Sequence, residues 1–310
     1  MNYRAVLFAA IQTAGLYAAA LIIPLAGQIL VLFAPVPLIV VFVRTGRREG
    51  AAALLASVLL SALLGGWQAA AVFLFSFGLM ALGTAEGMRR NMKPERTVLL
   101  GGLLPLAVIA LLLFFYFIRA GKNPITEVEI YLRGSIAEAA KFYSSMGMTE
   151  MAAYVNAVSD AFIHYLVRLI PGITLATSVT QAACCYGLAR AVIARRPEAA
   201  PALNRQPFAS WHAPDAWVWG LIAALALIVV PQETARLAGW NFAIILAVVY
   251  LAQGAAIVEH YLLKAHLRPF TRGLILALIL AMPSIVFVIA LGIVDVWADV
   301  RKVRVPFTQA

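Results

Sequence analysis

Residues 5–43 read AVLFAAIQTAGLYAAALIIPLAGQILVLFAPVPLIVVFV, with no charged side chain between Arg4 and Arg44. A second uncharged stretch runs from Gly50 to Ala85, and only the basic turn Arg44-Thr-Gly-Arg-Arg-Glu49 separates the two. Each is nearly twice the roughly 20 residues that cross a bilayer as a helix. Each also carries a break near its middle, Pro24-Leu-Ala-Gly27 in the first and Gly65-Gly66 in the second. Two helical hairpins of membrane spans, joined by a basic turn, account for both features.

The rest of the chain agrees. Apolar residues make up 63% and charged residues 12%, against about 45–50% and about 25% in soluble domains. Mean hydropathy is +0.91. The net charge of +10 sits in short turns between apolar runs. Such placement is the positive-inside pattern of membrane orientation, not a nucleic-acid surface. The first apolar run has no clean small-residue cleavage site and is expected to be retained. Cys184 and Cys185 are the only cysteines. Adjacent on a helix, they point about 100° apart and read as small buried apolar side chains.

The expected fold class is therefore an all-α polytopic membrane bundle of about nine spans. These cover 5–23, 28–43, 50–64, 67–88, 97–118, 160–194, 215–230, 237–263 and 273–294. Pro35 and Pro37 give the second an irregular start. Between the fifth and sixth spans, residues 119–159 mix charged and apolar residues at helical spacing, as amphipathic helices at a membrane surface do. The expected organisation is a six-span unit over 1–196, a polar loop over 197–214 and a three-span unit over 215–310. Lys and Arg counts put the turns at 44–48, 89–96, 190–205 and 264–272 on the cytoplasmic side of an inner membrane, with the amino terminus inside and 119–159 outside. Nine spans leave the basic tail on the far side, against the same rule.

Polar groups in apolar helices cost energy and therefore mark candidate sites. Asn156, Asp160, His164 and Arg168 repeat every fourth position and form one ridge of about 18 Å. That ridge suits a solute cavity or a proton relay; the alternative is an interfacial helix whose polar face meets water. Tyr250, Gln253, Glu259 and His260 form a second group, with Gln253 and His260 on one face; snorkelling and an interhelical hydrogen bond are the alternative. Asp295 and Asp299 read as a Trp297-anchored span end with salt bridges to Arg301 and Lys302. Gln12, Thr13, Gln28, Glu86 and Gln181 are single polar residues of the kind that glue helices. Ala10, Ala14 and Ala18 repeat on the first span, and Gly83 and Gly87 on the fourth. Such faces let helices approach closely, either within the chain or at a docking face for another membrane protein.

The chain has no G-x-x-x-x-G-K-[ST] loop, no His-Glu-x-x-His and no G-x-S-x-G. Its own ATP hydrolysis by a P-loop, zincin chemistry and α/β-hydrolase chemistry are therefore not expected. No enzymatic activity, cofactor, metal site or nucleic-acid partner is expected.

Ile22-Ile-Pro-Leu-Ala-Gly27, Phe33-Ala-Pro-Val-Pro-Leu38 and Arg44-Thr-Gly46 resemble the start of the YybS-like family of bacterial integral membrane proteins. Asp215-Ala-Trp-Val-Trp-Gly220, Val249-Tyr-Leu-Ala-Gln-Gly254 and Asp295-Val-Trp-Ala-Asp-Val-Arg301 resemble its later segments. That family is similar to the substrate-binding S components of energy-coupling-factor transporters. The resemblance implies a six-helix bundle with both ends cytoplasmic, and a first span whose small residues dock an energy-coupling partner. No S-component ligand signature is present. Two functions follow as expectations. One is a solute-binding or transport component without its own ATPase, using Asn156, Asp160, His164, Arg168 and Gln253 for a small-molecule solute. The other is a scaffold of the MreD type that organises partners and carries nothing.

Overall fold

A computed structural model of the chain describes residues 3–23, 26–195, 207–281 and 284–302. Pro24 and Leu25 of the first break, most of the 197–214 loop, the Gln28 side chain and the tail from 303, with Arg304, lie outside the described residues. The described residues are helical, with no strand among them. Their order is α1 (Tyr3–Ile22), α2 (Ala26–Val31), α3 (Pro35–Thr45), α4 (Arg47–Val72), a π-helical turn (Phe73–Gly78), α5 (Leu79–Arg89), α6 (Pro94–Ala120), α7 (Pro124–Ser145), α8 (Thr149–Ala194), a 3₁₀ turn (Phe208–Ser210), α9 (Trp217–Val229), α10 (Glu233–Lys264), α11 (Pro269–Ala281) and α12 (Ile285–Ala298).

The glycine pair at 65–66 does what its sequence suggests. Gly66 holds φ 76° and ψ −177° inside an otherwise helical run, a conformation only glycine adopts cheaply. On a straight helix Leu54 and Gly78 would stand about 36 Å apart. Instead a β-carbon on Gly78 would come within 2.8 Å of Leu54 Cδ1. The chain therefore reverses at Gly66, and 47–65 lies antiparallel to 67–89.

Other breaks differ from the spans expected. The second span is two pieces, the short α2 and then α3, which starts on Pro35 at its first turn, where a missing N–H costs nothing. The single ninth span expected over 273–294 is described as two helices, α11 and α12, with residues 282–283 between them outside the described residues. The sixth span is longer than expected. It starts at Thr149 and runs 46 residues unbroken through Pro171, about 69 Å. The amphipathic segment forms α7, whose first turn is capped by the Asn123 side chain accepting from Ile125 N at 3.0 Å.

Four helical stretches are long and apolar enough to cross a membrane, Arg47–Arg89 (the hairpin), Pro94–Ala120, Thr149–Ala194 and Glu233–Lys264. Their outward faces are apolar: Leu55, Leu59, Leu63, Phe114 and Phe115 are all more than half exposed. Contiguous apolar faces of this size are costly in water and favourable against lipid.

Contacts group the chain into two compact units. The first holds 1–167 and 177–204, the second 168–176 and 205–310. The core of the first is built on Leu38, Ile39, Phe42 and Val43 of α3, with Phe73, Met80 and Ala85 from the hairpin and Ala182, Cys185 and Ile193 from α8. Tyr17 packs edge-on against Phe73 and Phe77 and donates to the Ala69 carbonyl at 3.0 Å. The core of the second is Val218, Ala224, Leu246, Tyr250 and Val296.

Candidate functional site

The first unit contains a groove of about 980 Å³ between α1 on one side and α2–α3 on the other, completed by Leu188 and Val192 of α8. The two walls run antiparallel. Gly27 of α2 folds back against Ala19 of α1, so Ala19 and Leu30 fall toward one end of the groove and Ala5, Arg44 and Thr45 toward the other. Between them the lining is apolar except for Gln12. Gly15 opens the wall: a β-carbon there would meet no atom within 4 Å. At the basic end, Arg44 Nη2 donates to the Val192 carbonyl at 3.0 Å and the Ile193 carbonyl at 3.4 Å, capping the last turn of α8. Its Nε is buried without a partner. Near that end Arg89 Nη1 donates to the Phe42 carbonyl at 2.9 Å. Glu86 is tied to Arg47 and Arg90 at 2.5 and 2.6 Å.

The ridge proposed from the sequence is not enclosed. Asn156 and Asp160 are exposed, and Asp160 pairs with Arg133 of α7. His164 is half-buried, with its ring edge-on to Tyr165 at 5.2 Å. Arg168 is exposed and groups with the second unit.

Gln253 lies at the centre of a different construction, within the second unit. It is fully buried, and its Nε2 donates to Asp295 Oδ2 at 3.0 Å while its Oε1 accepts from Ala213 N at 3.2 Å. Arg301 Nη2 donates to the same Asp295 oxygen at 3.0 Å, with both side chains at 2% exposure or less. Asp295 Oδ1 accepts from Val300 N, and Arg301 Nη1 donates to the carbonyls of Ala209 and Trp211 at 2.8 and 2.9 Å. One ion pair thus clasps α10, the end of α12, the turn after it and the segment before α9. Both carboxylate oxygens are satisfied, as a buried charge requires. The salt bridge to Arg301 matches the sequence reading of this span end; the role of Gln253 in it does not follow from spacing. Glu259 pairs instead with Arg272 at 2.6 Å, and His260 lies edge-on to Tyr261.

Asn241 was not singled out from the sequence. Its Oδ1 accepts from Gly172 N at 2.7 Å and its Nδ2 donates to the Arg168 carbonyl at 3.0 Å. A regular helix pairs those two backbone groups with each other. The amide of Asn241 is thus built into the α8 ladder beside Pro171, where the missing N–H already disturbs it. The sequence signal was a lone amide in an apolar helix, opposite a Pro-Gly pair in another.

Ala10 and Ala14 are buried in the first unit at 0% and 3% exposure, and Ala18 is half-buried. Gly83 and Gly87 lie against Leu100 and Thr97 of α6. No group of three or more His, Cys, Asp or Glu side chains suited to a metal occurs among the described residues.

No curated protein and no solved structure matches the chain. Residues 11–296 match a family model described as predicted membrane protein (DUF2232). That match spans most of the groove wall in the first unit and both Gln253 and Asp295 in the second. An all-helical chain with lipid-facing apolar surfaces fits that description, and the protein belongs to the DUF2232 family of predicted membrane proteins.

Proposed function

We propose that the chain is a membrane-embedded solute-binding or transport component without an ATPase of its own. The observation that carries this reading is the groove of the first unit. It has an apolar floor, a polar amide partway along and a guanidinium at one end, the composition of a site for an amphipathic molecule. Such a solute enters from the bilayer rather than from water. Energy for movement comes from a partner, in the manner of the energy-coupling module that the S-component resemblance implies, and the chain itself is non-enzymatic. The test is mass spectrometry of small molecules released from gently purified protein, beside a Gly15→Leu variant. Leucine at that position fills the groove without meeting another atom at its β-carbon. A compound held by the wild type and lost in the variant supports the reading; identical blanks remove it.

A scaffold role is the second reading. Its support is the apolar surface of α7 and the start of α8, where Ile130, Tyr131, Phe142, Tyr154 and Phe162 are more than half exposed. Crosslinking from Tyr131 and Tyr154 in intact membranes distinguishes the two. A single stoichiometric protein adduct favours the scaffold, and lipid adducts alone count against it.

A further inference from the structure

Resting on the groove as the binding site, we infer that its occupant is an anionic phospholipid of the surrounding bilayer, with the phosphate at Arg44 and one acyl chain along α1. Three observations place such a molecule. First, the groove is polar at one end only. From Ala5 at the Arg44 end to Ala19 at the Leu30 end, it runs about 21 Å. One leaflet of a roughly 30 Å hydrocarbon core is about 15 Å deep, so an acyl chain fits within it. Second, the basic end is suited to phosphate. Both carbonyl contacts of Arg44 are made by Nη2, and its Nε is buried without a partner, which leaves guanidinium donors for a phosphate. Guanidinium–phosphate pairs are among the strongest charge-assisted contacts. Arg89, whose Nη1 donates to the Phe42 carbonyl at 2.9 Å, adds a second cation near that end. Third, Gln12 is exposed, lines the groove and has no hydrogen-bond partner among the described residues. It stands about 10 Å along the groove from Ala5. An unpaired amide facing hydrocarbon is costly. Side chains on a helix lean toward its N-terminus, so the Gln12 amide reaches back from that depth toward the ester carbonyls that lie just below a phosphate head.

The experiment uses the full chain purified from nanodiscs of equimolar phosphatidylglycerol and phosphatidylcholine, with retained lipid counted by native mass spectrometry. The wild type is expected to retain phosphatidylglycerol over phosphatidylcholine by about fivefold, the effect of one basic side chain at a membrane surface. Arg44→Gln keeps a donor for the Val192 carbonyl but removes the charge; it is expected to retain lipid and lose the preference. Arg48→Gln makes the same charge change outside the groove and is expected to keep the preference. Gly15→Leu is expected to lose both lipids. Equal retention of the two lipids by wild type, with loss of both in Gly15→Leu, overturns the anionic assignment and leaves the groove as a site. A preference that Arg48→Gln abolishes as fully as Arg44→Gln also overturns it, since bulk surface charge then accounts for the effect. Unchanged retention in Gly15→Leu overturns both this inference and the site on which it rests.

Discussion

Asp295 and Arg301 show how a membrane-embedded unit tolerates full charges. Removing water from an ion pair costs several kcal/mol per ion, and the pair survives only where the remaining lone pairs and protons find partners. Here Gln253, Val300 N and two carbonyls supply all but one of them, Arg301 Nε being buried without a partner. Arg301→Ala leaves the carboxylate of Asp295 buried and unpaired, and is expected to cost about 3–5 kcal/mol, read as a lowered unfolding midpoint in detergent. Combining it with Asp295→Leu is expected to recover most of that loss, because no orphan charge remains. A double variant no more stable than Arg301→Ala would contradict the clasp. Asn241→Leu removes a half-buried amide that holds two backbone groups, at about 1–3 kcal/mol, checked by the same melt. Asn241→Gln is expected not to rescue it, since the longer side chain misplaces both atoms. Of these residues, Asp295 and Arg301 were legible in the sequence as a pair at a span end. Gln253 was legible as a polar group but not as a bridge, because its partners come from residues 213 and 295. Asn241 was missed for the same reason: its meaning lies in Pro171, on another helix.

At the scale of elements, glycine placement decides which helices touch. A β-carbon on Gly254 would lie 1.9 Å from the Val288 carbonyl oxygen, and one on Gly292 would lie 2.0 Å from that of Tyr250. The two glycines thus let the α10 and α12 backbones approach directly, the small-residue packing that membrane helices favour. Gly292→Leu is expected to separate these helices and release the clasp beyond them, visible as new proteolytic cleavage near residues 209–213. Gly15→Ala is expected to do the opposite in α1. It has open space and helical backbone, so it should stabilise by about 0.5–1 kcal/mol. Equal damage from both substitutions would contradict this division. The hairpin over 47–89 was readable from Gly65-Gly66 because a break inside an overlong apolar run has few other meanings. The splitting of the second span was less readable. Apolar runs look continuous, and only the position of proline relative to a helix start separates an irregular entry from a break.

Across the whole molecule, exposure has the meaning it has in lipid. Cys184 is exposed and Cys185 is buried, with its sulfur 3.2 Å from the Leu32 carbonyl oxygen. In intact membranes a charged thiol reagent is expected to label neither cysteine, and an apolar maleimide to label Cys184 alone. Labelling of Cys184 by the charged reagent at the rate of a free thiol would place that face of α8 in water. Composition made the membrane class and the helical fold plain, since no other class is so apolar over so many separate runs. The groove was invisible in the sequence, because its walls are ordinary apolar residues whose significance is the space between them. The Asn241 contact also bears on the order in which the protein is made. Its two partners are 69 positions apart, so α8 is synthesised long before the amide that completes its ladder exists. Before α10 is made, the Gly172 N–H and the Arg168 carbonyl have only each other within the helix, and the Asn241 amide joins them once α10 arrives.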